Sequence, residues 1–259
     1  MKILQIVIML IGLFVMQTKA VEKIDLDIVK HGIVCFTFDD SHYHGWLQHI
    51  ELFRQYDAHA TFFYNGKITP EMISSMKTLQ KHGHSIGLHT VSHKDAVPHM
   101  AEMGAEAYIM EQIMPQLQTT QGAEISINAF AYPNNRRTEF TDKALTPYFK
   151  YLRAGIPSRP QKGFWIAGQD DAYVPLRTIS TKMILPGVGI GAFYSTTLEN
   201  LDAALKRCAD KNELLIFFSH NIASNAGHVH MPTETLHHCL KKAQELKIRV
   251  IGIDELPDQ

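Results

Sequence analysis

Short apolar runs alternate along the chain with stretches whose apolar residues recur at helical spacing. "IVCFTF" (33–38) is unbroken by polar alternation and rich in β-branched and aromatic residues, which predicts a fully buried strand. The same reading places strands at "ATFFYN" (60–65), "HSIGLH" (84–89), "INAFAY" (127–132), "FKYLRA" (149–154), "LLIFFSH" (214–220) and "IRVIGI" (248–253). Between them, "GWLQHIELFRQY" (45–56) carries Trp46, Leu47, Ile50 and Phe53 at helical spacing. "TPEMISSMKTLQKHG" (69–83) opens on Thr69 as a cap, has Pro70 in its first turn and stops at Gly83. Further helices are predicted over about 98–119, at "ENLDAALKRCAD" and at "TETLHHCLKKAQELK", the last capped by Thr233.

Strands that alternate with helices build a largely parallel sheet. Some seven or eight of them, with no repeat or low-complexity linker after residue 21, predict one α/β domain over 21–259 closed into a distorted (β/α) barrel. Barrel chemistry gathers on the loops at the C-terminal ends of the strands. Asp39 and Asp40 follow the first strand, His89 and His93 the third, Tyr132 and Pro133 the fourth, and His220 the strand at 214–220, so all are expected on one face.

The first 20 residues break this pattern. Lys2, an apolar run from Ile3 to Met16 and small residues at Thr18 and Ala20 predict a secretory signal peptide cleaved after Ala20. The run is shorter than the roughly 20 apolar residues of a spanning helix, so no stable membrane span is expected after cleavage and the mature chain is expected to be secreted or periplasmic. A net charge of −1 supplies no basic field for nucleic acid or an anionic membrane. Three cysteines do not make a disulfide scaffold; Cys35 reads as a buried apolar residue, and a Cys208–Cys239 pair is the one bridge left open.

The candidate chemistry centres on "GLHTVSHKD" (87–95). His89 and His93 stand four residues apart and can face one ion, and Asp40 adds a carboxylate. Two imidazoles and a carboxylate suit Zn²⁺, or Co²⁺ or another divalent ion, at a site with a position open for water. Asp39 beside it can act as general base, and His220 at the end of its strand as general acid. The simpler readings are a solvated Asp-Asp turn and a satisfied core histidine. A second histidine-rich stretch, "GHVHMPTETLHHCL" (227–240), reads as a loop entering a helix.

With "TFDD" (37–40), "ATFF" (60–63), "GHSIGLHTVSH" (83–93), "AYPN" (131–134) and "LLIFFSH" (214–220) in this order, the chain resembles the polysaccharide deacetylases, or NodB-type carbohydrate esterases, over about residues 31–255. The resemblance implies a metal held by Asp40, His89 and His93, Asp39 as base, His220 as acid, and hydrolysis of acetyl groups on a glycan. It also implies that the oxyanion is met by the metal and by backbone near Tyr132 and Asn134. The chain departs from the family pattern in three places, the first being Ser41 where the first motif usually continues with glycine. Ala131 stands where the family commonly has an arginine that holds the base, leaving Arg136 or Arg137 as possible substitutes. No Asp-Trp motif is evident to support the acid, with Asp170 and Asp171 as candidates. Two further readings follow: a binding member of this fold that lost turnover, or a hydrolase of another amide or ester.

Overall fold

The structure is a computed structural model, and it describes residues 21–258 except 159–160 and 226–228. The signal peptide expected over 1–20 lies outside the described residues.

The strands are β1 (Ile33–Phe38), β2 (Ala60–Tyr64), β3 (Ser85–Leu88), β4 (Ala129–Ala131), β5 (Tyr151–Gly155) and β6 (Tyr173–Pro175). They continue with β7 (Ile184–Gly189), β8 (Glu213–Ser219), β9 (Asn221–Ala223), β10 (His230–Pro232) and β11 (Arg249–Val250). Seven parallel strands form the ring β1-β2-β3-β4-β5-β7-β8, and pairing of β1 with β8 closes it. Two short strands wedge into its lower edge. β11 pairs the first half of β1, where β2 has diverged, and antiparallel β6 pairs the first half of β8, where β7 has diverged.

The helices are α1 (Tyr43–Gln48), α2 (Ile50–Gln55), α3 (Pro70–Lys81), α4 (Ala96–Met103) and α5 (Ala105–Tyr108). A π turn at Ile109–Ile113 leads into α6 (Met114–Gly122), followed by α7 (Glu139–Leu145), α8 (Leu198–Lys211) and α9 (Thr233–Glu245). No helix among the described residues is long and apolar enough to cross a membrane.

β1 reads as one apolar run because both of its faces are buried. Val34, Phe36 and Phe38 pack under the helices with Phe53, Phe62 and Leu240, whereas Ile33 and Cys35 point inward with Phe63, Ala131, Tyr151 and Ile216. At the lower end, Ile253 and Leu256 close the interior, so the barrel is a packed core and its open face is the upper rim.

Several expectations need correction. β7 does not appear in the sequence reading, because Pro186, Gly187 and Gly189 interrupt the β pattern there. Gly187 is required by its neighbour: a Cβ there would lie 2.9 Å from Cδ of Arg153 and 3.1 Å from the Phe218 ring. The strand at 248–253 shrinks to Arg249–Val250, since the chain turns inward at Ile253 to plug the barrel. The helix over about 98–119 is broken at Gly104, whose φ of 88° leaves the helical region, and again ahead of Pro115, which has no N–H to give. Thr69 does cap α3, accepting from the Met72 N–H at 3.2 Å. Thr233 does not cap α9: it is already helical, and its hydroxyl lies 2.9 Å from Nε2 of His49. All three cysteines are free and buried, so Cys208 and Cys239 do not pair.

Candidate active site

The upper rim gathers residues from loops far apart in sequence, and their backbone is unusual. Of eleven non-glycine residues with positive φ among the described residues, Asp40, Ser41, Thr90, His93, Asn134 and Asn135 lie on these loops. Such conformations persist only where the surroundings over-determine them. At the end of β1, Nδ2 of Asn65 donates to Oδ1 of Asp40 at 3.0 Å.

That oxygen lies 3.6 Å from Nε2 of His89 and 3.6 Å from Nε2 of His93, while the other, Oδ2, lies 3.6 Å from Nε2 of His220. Asp40, His89 and His93 each offer one ligand atom, all within 4.8 Å of one another. Atoms that bind a tetrahedral ion at about 2.0–2.2 Å stand about 3.3–3.6 Å from each other, so the donor set fits a divalent cation in spacing as well as in type. The His89 ring is fixed for this. Its Nδ1–H donates to the Ala131 carbonyl at 2.7 Å, which leaves the Nε2 lone pair toward Asp40. Burial pulls its pKa below the usual imidazole range and favours the neutral, ligating form.

Asp39 sits beneath this trio, 3% exposed. Burial alone would raise its pKa. Attraction to Arg153, then to His89 and His220, and a hydrogen bond from Arg153 outweigh that effect and hold the carboxyl below its ordinary range. Arg153 donates from Nη2 to Asp39 Oδ2 and from Nη1 to Asn135 Oδ1 at 2.6 Å. Its guanidinium lies 4.7 Å from the centroid of Phe218 and 5.4 Å from that of Phe63. Asp39 Oδ1 is buried and has no hydrogen-bond partner among the described residues, so an ionised oxygen is left to accept a proton.

The other expected site residues are more scattered. His220 reaches the rim, its carbonyl accepts from the Trp46 indole at 2.9 Å, and its buried Nδ1 lacks a partner among the described residues. Asp170 pairs with Arg207 and Asp171 accepts from Ser158, so neither is engaged with His220. Asn134 is exposed, with φ of 55°, on the turn after β4. Tyr132 points the other way: its hydroxyl donates to Asp142 at 2.8 Å, and its N–H donates to the Arg153 carbonyl at 2.9 Å.

Arg137 also binds Asp142, and Arg136 pairs with Asp95 at 3.1 Å. Neither arginine is paired with Asp39; the residue that holds its carboxylate is Arg153, one strand further on. The signal for it was Arg153 inside "YLRAG" (151–155), the one charged residue of that strand. In the second histidine stretch, His237 bonds Tyr56 and His238 bonds Asp202, and no metal-binding group forms there among the described residues.

A parallel barrel whose rim joins an Asp-His-His trio to a paired, buried aspartate defines a hydrolase-type site. Residues 28–146 match the family described as polysaccharide deacetylase. Over that segment the chain is similar to the family. Solved structures extend the likeness of fold beyond this segment. A chitin deacetylase from the fungal pathogen Colletotrichum lindemuthianum is 18% identical with a TM-score of 0.57, over 89% of each chain. The CE4 domain of a multidomain xylanase from the hindgut metagenome of Trinervitermes trinervoides is 15% identical with a TM-score of 0.53, over 87% of this chain and 89% of that one. A CE4-family pseudoenzyme from Bacillus anthracis is 15% identical with a TM-score of 0.55, over 88% of this chain and 66% of that one. No curated protein matches the chain in sequence.

Proposed function

We propose that this protein is a secreted, divalent-cation-dependent hydrolase that removes acetyl groups from a glycan. The observation that carries the reading is the convergence of Asp39, Asp40, His89, His93 and His220 on one rim, with Asp39 kept ionised by Arg153. Asp40, His89 and His93 are the residues to hold the ion, a donor set suited to Zn²⁺, which when bound would polarise the acetyl carbonyl and acidify water. Asp39 Oδ1 takes a proton from the attacking water, and protonated His220 gives one to the leaving nitrogen or oxygen. Backbone near Asn134, on the exposed turn after β4, is assigned to meet the oxyanion.

The glycan assignment draws support from the family match and from a chitin deacetylase among the fold neighbours. Secretion rests on the pattern of residues 1–20. The test is acetate release from chitooligomers, peptidoglycan and acetylated xylan with added Zn²⁺ or Co²⁺, alongside metal content. Wild-type protein is expected to carry about one ion per chain and release acetate from at least one substrate, and Asp40→Asn to lose both. Release unchanged by Asp40→Asn refutes the reading.

A second reading, a glycan-binding member without turnover, is favoured by the missing partner at Nδ1 of His220 and by the pseudoenzyme among the fold neighbours. Glycan binding without acetate release would select it.

A further inference from the structure

The two histidines of the trio are held in different ways. His89 is buried, its backbone lies at the end of β3, and its ring is tied to Ala131. The side chain of His93 is 38% exposed, and its polar contact among the described residues is with Asp40. Its position must come from the backbone of residues 90–93, a loop with φ of 70° at Thr90 and 54° at His93. Left-handed backbone at two non-glycine residues does not hold itself, so other groups must fix it.

Those groups come from the helix on the far side of the loop. Oε1 of Gln112 accepts from the Ser92 N–H at 3.1 Å and from the Ser92 hydroxyl at 2.9 Å, and the Gln112 carbonyl accepts from the Val91 N–H at 3.1 Å. Nε2 of Gln116 donates to three carbonyls: Gly66 at 2.8 Å, Thr90 at 3.1 Å and Tyr64 at 3.2 Å. Gln116 therefore ties the His89–His93 loop to the loop after β2, which carries Asn65, the residue that donates to Asp40. Both amides are buried, at 5% and 1% exposure.

The backbone makes this possible. Pro115 cannot continue an ordinary α pattern, and the Met114 N–H reaches back five residues to the Ile109 carbonyl. π turns of this kind recur at functional sites. This one presents Gln112 and Gln116 together, straddling its end.

We infer that Gln112 and Gln116 are positioning residues of the cation site: they set the backbone between the two histidines and so place His93 against Asp40. The inference rests on the metal reading above. Outer groups that orient ligands typically change metal affinity by about 10–100-fold when removed.

The two amides act through opposite ends, which gives a sharp test. Gln112 is used as an acceptor and Gln116 as a donor, so one substitution has two outcomes. Zn²⁺ affinity, measured by competition with a chromophoric chelator, is expected to stay within about threefold for Gln112→Glu, since a carboxylate still accepts from Ser92. It is expected to fall about 10–100-fold for Gln116→Glu, which has no donor for the three carbonyls. Gln112→Leu should fall at least about tenfold, so that Glu rescues position 112 where Leu does not. Melting temperatures in excess chelator show whether each variant folds; should Gln116→Glu not fold, the Leu and Glu pair at position 112 decides alone. Folded Gln112→Leu and Gln116→Glu with unchanged Zn²⁺ affinity would overturn the clamp while leaving the metal reading intact. Wild-type protein that binds no Zn²⁺ would overturn both.

Discussion

Arg153 holds the Asp39 carboxylate from a strand position in direct register with Ala131 on the neighbouring strand. The positive charge that the family pattern places at the end of β4 has thus been supplied one strand along, at the same height in the barrel. Its side chain is 1% exposed, and the space it occupies is left open by Gly187 on the next strand.

Removing this arginine should be costly in a specific way. Arg153→Met leaves Asp39 buried without its counter-charge, and breaking such a pair typically costs about 3–5 kcal/mol. The double variant Asp39→Asn/Arg153→Met should regain much of that loss, because no ionised group is then stranded. Chemical denaturation of the four proteins in the cycle measures the coupling; equal stability of wild type and Arg153→Met would rule the pairing out.

Gly187→Ala should imitate that lesion from a distance. The added methyl lies within 2.9 Å of Arg153 Cδ, so the guanidinium must shift or the strand must move. A stability loss of about 1–3 kcal/mol is expected from overpacking, with acetate release falling by about 100-fold if the base is displaced by an ångström. Full activity in a folded Gly187→Ala protein would contradict the geometry.

Tyr132 separates architecture from chemistry. Its hydroxyl is committed to Asp142, which also binds Arg137. Tyr132→Phe is therefore expected to lose about 0.5–1.5 kcal/mol of stability and to keep kcat/KM within about threefold. A large fall in kcat/KM with stability preserved would return the hydroxyl to the substrate.

Acid should loosen the fold through His84. Burial, then repulsion from His59 and His82, lower its pKa to about 3, and its Nδ1 accepts from the Ala60 N–H at 3.1 Å. The unfolded chain binds this proton from about pH 6.5 downward, whereas the folded chain resists until about pH 3. Stability from this residue is thus complete above pH 6.5 and lost as pH falls toward 3, each unit corresponding to about 1.4 kcal/mol. Between pH 7 and pH 4.5, the melting temperature of wild type should drop more than that of His84→Gln, whose amide can accept the same hydrogen bond without titrating. Parallel curves would exclude His84 as the source.

The first half of the barrel was plain in the sequence because β1, β2 and β3 are apolar on both faces and end in polar residues that the rim uses. Asp40, His89 and His93 were legible for the same reason: spacing places them at strand ends, and their chemistry is shared. β7 was not legible, since Pro186, Gly187 and Gly189 break its β pattern; Gly187 makes room for Arg153 and Gly189 for the Tyr194 ring. Arg153 in turn was hidden by the expectation that the charge would lie close to Tyr132 in sequence. Register across β4 and β5 decides that question, and register is a property of pairing rather than of local pattern.

The seam between β1 and β8 has a temporal side. Thr37 and Phe217, which share a hydrogen bond across it, are 180 residues apart. Asp40, His89 and His93 lie within residues 40–93, whereas His220 follows the strand whose pairing with β1 shuts the ring. On the proposed reading, the three candidate ligands would be synthesised well before His220, so a proton donor would join them only once β8 has paired with β1.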